Sequence, residues 1–235
     1  MSGANASPAG RSHIQMTTIR AREHFYSPGL PAEYGRHYRA FVRFAKEHAG
    51  ASVLDVGCGY GAYGRALAEE GRRCFGCDIN MEYLKTAAGS GLPVAAVDSM
   101  LPFADRTFDS VLLFEVIEHV PRYEALLKEA FRVARRSVLI TVPNSEDMAL
   151  MQANDVTYGH MLSSDHVNFF EAASLRKLLQ QYSPDVSVER SDPIYPFWFL
   201  GRSLPYYALR LFFRAGLLKA RFFSRLYAVA RVRED

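Results

Sequence analysis

The segment Val53–Gly64, with the sequence VLDVGCGYGAYG, constrains the fold more strongly than any other part of the chain. An apolar run that carries one acid, Asp55, leads into glycines at positions 57, 59, 61 and 64. Glycine adopts positive φ without steric cost and lets a ligand approach the backbone closely, and a following helix offers unpaired N–H groups at its positive end. The segment therefore predicts a buried strand, a ligand-binding turn and a helix, the first unit of an α/β sheet.

Apolar runs and helical patterns alternate along most of the chain. They predict strands at 53–56, 73–79, 94–97, 110–114, 137–142, 186–190 and 226–232, and helices at 34–48, 60–70, 81–88, 124–134 and 172–182. Because strands that alternate with helices form βαβ units, we expect a Rossmann-like, doubly wound α/β fold. Its seven-stranded sheet is mostly parallel, with an antiparallel last strand and a helical insert before it. The length of 235 residues favours one domain, at 19–235, behind a disordered N-terminus at 1–18.

Composition and cysteine content are those of an ordinary globular protein. Hydrophobic residues make up 49% and charged residues 23%, and no leader typical of secretion opens the sequence. The 3 cysteines, at 58, 74 and 77, cannot build a disulfide framework, so we expect a reducing, cytoplasmic location. Cys74 and Cys77 have the spacing of a redox pair but fall within a predicted strand, and we interpret them as small buried residues.

The glycine turn alone does not identify its ligand. Residues 59–64 fit the G-x-G-x-x-G pattern of dinucleotide enzymes, and Asp78 ends the next strand, where an acid that binds ribose belongs. Asp55, however, would repel a pyrophosphate and would suit a cation such as the ammonium group of an amino acid. Asp98, after the third strand, is placed to accept a hydrogen bond from the amino group of adenine. A ligand with a ribose, an adenine and an amino-acid arm is S-adenosylmethionine.

From about Val53 to Tyr182 the chain resembles the class I S-adenosylmethionine-dependent methyltransferases. The segments VLDVGCGYG, CDI, VDSMLPFADRTFDSV and FEVIEHV are similar to their motifs and come in the same order. The resemblance implies a transferase that moves a methyl group from S-adenosylmethionine to an oxygen or nitrogen of a small or lipid-linked metabolite. It also implies a set of cofactor-binding residues, namely Asp55, Gly57, Gly59, Gly61, Asp78, Ile79, Asp98, Ser99 and Phe114.

Carboxylate and imidazole side chains occur after the fourth predicted strand and again farther along. Glu115, Glu118 and His119 share one face if this stretch is helical, and His166 follows in the segment GHMLSSDHVNFF. We assign Glu118, His119 and His166 as catalytic candidates. His166 is our preferred general base or hydrogen-bonding partner of the acceptor.

The pairing of EVIEH with a later DH is also similar to metal-dependent methyltransferases that modify the terminal 2′-hydroxyl of small RNAs. That resemblance implies a divalent metal bound by Glu115, Glu118, His119 and His166. Segments like EVIEHV and HVNFF occur as well in bacterial methyltransferases of small molecules, sugars and lipids, and we favour this metal-free interpretation. A protein that binds S-adenosylmethionine for interaction or regulation, without catalysis, is a further alternative.

An insert at 193–224 combines aromatic and basic residues between the last two predicted strands. No acidic residue occurs from Pro193 to Arg233, whereas 8 basic residues do. At about 100° per residue, the pattern predicts a helix or helix pair with an apolar seam and a cationic stripe. The seam comprises Leu204, Ala208, Leu211, Ala215 and Leu218, and the stripe comprises Arg210, Arg214, Arg221 and Arg225.

Three interpretations of the insert stay open. It packs on the core as a lid with solvated arginines, it makes peripheral contact with an anionic membrane and holds a lipid-linked acceptor, or it binds RNA. Between the two functional interpretations we favour the membrane, because the apolar content is high and no nucleic-acid motif is present.

Overall fold

The computed structural model describes residues 35–97, 100–153 and 165–233, and the predicted disordered N-terminus lies outside them. In this described part, seven strands form one sheet in the order β3-β2-β1-β4-β5-β7-β6. The strands are β1 (Ser52–Val56), β2 (Arg73–Asp78), β3 (Val94–Ala96), β4 (Phe108–Phe114), β5 (Ala134–Pro143), β6 (Asp185–Ile194) and β7 (Phe222–Arg231). The helices are α1 (Gly35–His48), α2 (Ala62–Ala68), α3 (Met81–Gly89), α4 (Tyr123–Val133), α5 (Met148–Ala153), α6 (Ala172–Leu179) and α7 (Leu204–Arg214), with a 3-10 helix at Pro196–Leu200.

The sheet has the predicted doubly wound topology. β1 to β5 run parallel to one another, and β7 lies antiparallel between β5 and β6. The strand order reverses direction beside β1 and β4, so the carboxyl ends of these two strands flank a crevice. In open α/β sheets such a crevice is the place where ligands bind.

Strand β4 shows how the sheet buries both of its faces. All of its residues are buried, and alternate side chains point to opposite sides of the sheet. Val111 and Leu113 join the core that includes α4 and α6, whereas Leu112 and Phe114 join the core that includes α1 and α2. A strand covered on both faces is a continuous apolar run, which is why its position could be predicted.

Helix α2 is shorter than predicted. It begins at Ala62 and not at position 60, because Gly59 and Gly61 adopt φ of 52° and 74° and keep the turn out of the helix. The glycine turn is thus a separate loop between β1 and α2, with its backbone free of helical geometry.

The insert is a long connection between β6 and β7. The two strands pair as far as Ile194 and Phe222, so the insert covers 195–221 and not the predicted 193–224. It contains the 3-10 helix and α7. In the part of the chain that the structure describes, no helix is long and apolar enough to cross a membrane.

Helix α7 packs with a different side from the one that the sequence predicted. The rings of Tyr206 and Phe213 contact the ring of Phe197, with centroid distances of 5.5 and 5.6 Å. The predicted apolar seam is wrong as a packing surface, since Leu204 and Leu211 on that seam are 83% and 65% exposed.

The predicted cationic stripe is also wrong. Arg210 and Arg214 lie on α7, but Arg221 follows the helix and Arg225 lies in β7. The prediction applied the helical period to residues that in fact follow the helix or form a strand. It therefore placed on one stripe four arginines that the structure separates.

Candidate functional site

The glycine turn joins β1 to α2 at the carboxyl edge of the sheet. Gly57, Gly59 and Gly61 have φ of 71°, 52° and 74°, which residues with a Cβ rarely adopt. A Cβ on Gly57 would lie 2.6 Å from Cγ2 of Val116, so the turn has no room for one. The Gly57 N–H donates to the carbonyl of Cys77 at 2.8 Å and ties the turn to β2. The predicted ligand-binding turn is therefore formed, with bare backbone at the crevice.

Asp78 holds this turn from the end of β2. Its Oδ2 accepts a hydrogen bond from the Gly59 N–H at 2.9 Å, and its Oδ1 accepts one from the Asn80 N–H at 2.8 Å. The next residue, Ile79, is 77% exposed although it is apolar. An acid beside an exposed apolar side chain is the arrangement expected for a ribose and its adenine, as predicted for Asp78 and Ile79.

Asp55 is a buried carboxylate in which one oxygen accepts no hydrogen bond from the described residues. It is 1% exposed, and its Oδ2 has no hydrogen-bond partner among the described residues. Burial, opposed by a hydrogen bond from the Gly64 backbone and assisted by the charge of Asp78, raises its pKa to about 7. A cation at this oxygen would offset the cost of burying the charge, so Asp55 fits the ammonium group of S-adenosylmethionine.

Three other predicted cofactor residues have different outcomes. Asp98 and Ser99 lie outside the described residues, although Met100 next to them is 75% exposed. Phe114 is buried, and its ring packs against Phe41 at a centroid distance of 5.6 Å. Phe114 therefore has only its backbone, at the end of β4, to offer a ligand.

The cysteines have the properties of core residues. Cys58, Cys74 and Cys77 are free and buried. Burial, together with the charge of Asp55, raises the pKa of Cys74 to about 11 and that of Cys77 to about 12. Thiols with raised pKa values are poor nucleophiles, which agrees with a packing role and not with a redox pair.

A second polar cluster lies where the chain leaves β4. Nδ1 of His119 lies 3.3 Å from Oδ2 of Asp165, Nε2 of His119 lies 4.0 Å from Oε1 of Glu118, and the rings of His119 and His166 are 4.7 Å apart. The structure therefore brings together the three predicted catalytic residues, and Asp165 orients one of them.

Asn168 fixes the two segments of this cluster to each other. Its side-chain amide donates to the carbonyls of Ile117 and Val120, both at 2.8 Å. The backbone N–H groups of Val167 and Asn168 donate to the carbonyl of Glu118 at 2.8 and 3.1 Å. These bonds hold the loop that carries His166 against the turn that carries Glu118.

Burial sets the protonation of the cluster. Glu118 is fully buried, neither of its carboxyl oxygens has a hydrogen-bond partner among the described residues, and burial followed by the charge of Glu115 raises its pKa well above the usual range. Burial, then His119, lowers the pKa of His166 to about 4. Around neutral pH, His166 is a neutral imidazole, whereas Glu118 has the higher affinity for a proton.

Glu115 lies near this cluster, since its charge acts on Glu118, and it pairs with Arg225. Its Oε2 lies 3.1 Å from Nε of Arg225, and its backbone N–H donates to the carbonyl of Thr141 at 2.9 Å. Its φ of 55° is unusual for a residue with a side chain. Arg225 was not predicted as a site residue, because its partner lies 110 positions away in the sequence.

Asp192 lies on the other side of Arg225 and also has a positive φ, of 56°. Its Oδ2 lies 3.7 Å from Nη1 of Arg225 and 3.0 Å from Nδ1 of His37, and it accepts a hydrogen bond from the Tyr227 hydroxyl at 3.3 Å. Strained non-glycine backbone concentrates at functional sites. Two such residues on one arginine extend the site from β4 to the last two strands.

Three of the four predicted metal ligands lie close to one another. Within the described ranges, Glu118, His119 and His166 each offer one ligand atom, and these atoms lie within 4.8 Å of one another. Glu115, the fourth residue of that set, is engaged by Arg225.

Buried oxygens that lack a hydrogen-bond partner mark the whole site. Among the described residues they are Asp55 Oδ2, Glu115 Oε1, Glu118 Oε1, Glu118 Oε2 and Thr141 Oγ1. All of them lie at or near the carboxyl ends of β1, β4 and β5. Because unsatisfied buried polar groups are costly, their concentration at one edge indicates that a polar ligand completes them.

Comparisons with known proteins show which proteins this chain is similar to. A family described as a methyltransferase domain matches residues 30–183, more than half of the chain. A probable S-adenosylmethionine-dependent methyltransferase of Mycolicibacterium smegmatis is 30% identical over 162 residues, which are 65% of this chain and 60% of that protein. Ajmaline N-methyltransferase of Rauvolfia serpentina is 31% identical over 148 residues, 52% of this chain and 51% of that protein. The chain thus spans only about half to three fifths of the length of these relatives.

Similarity to solved structures covers most of the chain. The crystal structure of a S-adenosylmethionine-dependent methyltransferase from Archaeoglobus fulgidus superposes with a TM-score of 0.66 over 91% of this chain and 99% of that one, at 21% sequence identity. At this identity the likeness shows the fold alone. The family match, in contrast, includes both the glycine turn and the cluster around His166, and by that match the chain belongs to the class I S-adenosylmethionine-dependent methyltransferases.

Proposed function

We propose that this protein transfers a methyl group from S-adenosylmethionine to a nitrogen or oxygen of a small apolar or lipid-linked metabolite. The observation that carries the proposal is the group of unpartnered buried oxygens along one edge of the sheet. Asp55 supplies one of them beside the glycine turn, and Glu118 supplies two of them beside β4. The two positions match a cofactor subsite and an acceptor subsite.

The cofactor subsite consists of residues close in sequence. We assign Asp55 to the ammonium group, Asp78 to the ribose hydroxyls, and the exposed side chain of Ile79 to the adenine face. The backbone of Gly57 and Gly59 lines the amino-acid arm. When bound, S-adenosylmethionine supplies an activated methyl group, so the remaining task of the chain is to align the acceptor and to exclude water.

The acceptor subsite consists of Glu118, His119 and His166. Neutral His166 is suited to hydrogen-bond the acceptor and orient its lone pair. In its ionised form, Glu118 is suited to take the proton that the acceptor nitrogen or oxygen releases when the new bond forms, and its raised pKa makes it a stronger base than an ordinary carboxylate. His119, oriented by Asp165, completes the wall of this subsite and acts as a positioning residue.

The acceptor class is inferred from two features. Relatives such as ajmaline N-methyltransferase are named for small-molecule acceptors. The insert between β6 and β7 adds exposed apolar side chains, and its strands reach Glu115 through Arg225. An acceptor with an apolar portion, free or attached to a lipid, fits a site whose neighbouring strands carry such an insert, and the protein would then work in peripheral contact with a membrane.

The metal-dependent alternative implies four protein ligands, of which three lie together, whereas Glu115 has one carboxyl oxygen paired with Arg225 and the other without a partner among the described residues. The alternative of a binding protein without catalysis leaves the cluster of Glu118, His119 and His166 without a role. Both alternatives remain distinguishable by experiment.

Titration calorimetry of the full chain with S-adenosylmethionine, and with NADH as the control, tests the cofactor. Transfer of a radiolabelled methyl group to a panel of amines, phenols and lipid-linked alcohols, with and without chelator, then tests the reaction. We expect binding of S-adenosylmethionine alone and transfer that a chelator does not change. Binding of NADH would refute the cofactor assignment, and loss of transfer with chelator would favour a metal-dependent enzyme. Binding without any transfer would favour a regulatory protein or an enzyme that acts on RNA.

A further inference from the structure

Helix α7 lies on the surface of the protein with most of its side chains in solvent. None of its 11 residues is buried. At about 100° per residue, its partly buried side chains, Tyr206, Leu209 and Phe213, fall within about 60° of one another and form its inner face. Leu204 and Leu211 lie about opposite to them, so the apolar stripe of the helix points away from the body of the protein.

The exposed apolar side chains continue beyond the end of the helix. Gly216 ends α7 with a φ of 73°, and Leu217 and Leu218 follow it, both exposed. We call the exposed face of α7 and this turn the outer surface of the insert. Its large apolar side chains are Leu204, Tyr207, Leu211, Phe212, Leu217 and Leu218. Soluble proteins rarely leave so many large apolar side chains exposed in one place unless the surface binds something.

Positive charge surrounds this outer surface. The basic side chains of the insert are Arg202, Arg210, Arg214, Lys219 and Arg221, and all of them are exposed. Their charges are not compensated within the insert, since no Asp or Glu occurs between Pro193 and Arg233. Arg210 and Arg214 lie one turn apart along one flank of the apolar stripe, about 100° from its centre.

Leucines that face outward, with arginines beside them, indicate which kind of partner this surface binds. A second copy of the chain would bring like charges together on both sides of the contact, which is unfavourable. Single-stranded RNA could stack on the exposed rings of Tyr207 and Phe212, but it would leave the exposed leucines of the surface uncovered. An anionic phospholipid surface provides both an apolar layer and negative charge at once.

The dimensions of the helix agree with a position in the membrane interface. Eleven residues extend about 16 Å, about half of the hydrocarbon thickness of a bilayer. The apolar stripe is one face only, and the opposite face packs on the protein. This geometry fits a helix that lies in the plane of the headgroups.

We propose that the outer surface of the insert binds anionic phospholipid membranes, with α7 parallel to the bilayer plane. Leu204, Leu211 and Leu217 enter the boundary between headgroups and acyl chains, and Arg210 and Arg214 contact the phosphates. The ends of β6 and β7 that carry the insert also carry Asp192 and Arg225. Membrane binding therefore places the candidate acceptor subsite at the lipid surface.

Cosedimentation with vesicles tests this proposal without relying on methyl transfer. The full chain is mixed with vesicles of phosphatidylcholine alone and with vesicles in which about a third of the lipid is phosphatidylglycerol. We expect binding to the anionic vesicles, and we expect it to weaken as salt screens the charges. Each basic side chain near such a surface increases the affinity about fivefold. The double variant R210Q/R214Q should bind about 20-fold more weakly, and L204S/L211S at least about tenfold more weakly.

A matched control removes the same charge elsewhere. Arg73 and Arg136 are exposed and lie near the starts of β2 and β5, at the edge of the sheet opposite the insert. The variant R73Q/R136Q should bind vesicles like the unchanged protein, and all variants should keep their affinity for S-adenosylmethionine, which verifies folding. Equal binding of all variants, or no binding to anionic vesicles, would overturn the proposal. Self-association that L204S/L211S abolishes, without vesicle binding, would assign the surface to a second copy instead. None of these outcomes alters the proposed methyl transfer.

Discussion

Replacement of Asp55 by asparagine should have opposite effects on stability and on cofactor affinity. The carboxyl group is buried in β1, one of its oxygens has no partner among the described residues, and its pKa is about 7 instead of 3.8. The folded protein without cofactor therefore bears the cost of a charge that only a bound cation offsets. Asparagine keeps the shape of the side chain and removes that cost.

The effect on stability follows from the two pKa values. Between about pH 4 and about pH 7 the folded state still binds a proton that the unfolded state has lost, so the free energy of unfolding falls as pH rises through this window. The difference in pKa corresponds to at most about 4 kcal/mol. At about pH 8 we therefore expect Asp55→Asn to stabilise the cofactor-free protein by about 1 to 4 kcal/mol, and at about pH 4 to leave its stability nearly unchanged.

The effect on affinity has the opposite sign. The ammonium group of S-adenosylmethionine requires the charged carboxylate, and with a pKa of about 7 the charged fraction of Asp55 falls about tenfold from about pH 8 to about pH 6. Affinity for the cofactor should fall by about the same factor in the unchanged protein. In Asp55→Asn it should be lower and independent of pH over this range.

Chemical denaturation and titration calorimetry, both across this pH range, measure the two effects. Asp185→Asn is the control, because Asp185 forms an exposed ion pair with Arg231, of a kind worth at most about 1 kcal/mol. The reasoning is refuted if Asp55→Asn destabilises the cofactor-free protein at about pH 8, or if it binds S-adenosylmethionine as tightly as the unchanged protein.

Three further substitutions test other parts of the site. Gly57→Ala should abolish measurable cofactor binding in calorimetry, because the new Cβ has no room and the φ of this residue is positive. Gly89→Ala is the control and should bind the cofactor normally, because nothing lies within 4 Å of its new Cβ. Equal cofactor affinities of the two variants would contradict the role of the turn. His166→Gln should lower kcat about a hundredfold with the cofactor Kd nearly unchanged, and equal loss of both would count against a role in transfer. Arg225→Met should reduce the free energy of unfolding by about 3 to 5 kcal/mol in urea denaturation, since it removes the arginine that pairs with Glu115 and Asp192. The exposed pair of Arg190 gives the comparison: Arg190→Met should cost about 1 kcal/mol or less, and a similar loss in both variants would disprove the importance of the buried network.

The cofactor half of the site could be predicted because its interactions join residues that are close in sequence. Gly57, Gly59 and Asp78 act through backbone conformation and hydrogen bonds that span about 20 positions. A strand, a turn and an acid at the next strand end are sufficient to specify such a unit. The same locality explains why the positions of β1 and β2 were correct to within one residue.

The acceptor half could be predicted only in part. Glu118, His119 and His166 were identified by residue type, but their contacts depend on a loop that returns after about 45 positions. Arg225 was assigned to the helical insert, because the prediction began the last strand one residue after it, at position 226, whereas β7 begins at Phe222. Its partners, Glu115 and Asp192, come from two other strands, and only the folded sheet brings them together.

The orientation of α7 illustrates a different limit. The helix carries apolar residues on two opposite faces, one with Tyr206 and Phe213 and the other with Leu204 and Leu211. Periodicity shows that both faces exist, but it does not show which of them meets Phe197. The prediction chose the leucines, and the structure uses the aromatic rings.

The position of β7 between β5 and β6 has a consequence for synthesis of the chain. β5 is complete at Pro143, but its outer neighbour begins only at Phe222. At about 5 to 20 residues per second, the ribosome needs roughly 4 to 16 s to make the intervening chain. During this interval the edge of β5 offers unpaired backbone groups to any other strand, and Glu115 lacks its counter-ion. The nascent protein is therefore prone to misassembly until β7 enters the sheet. We expect it to depend most on chaperones late in translation.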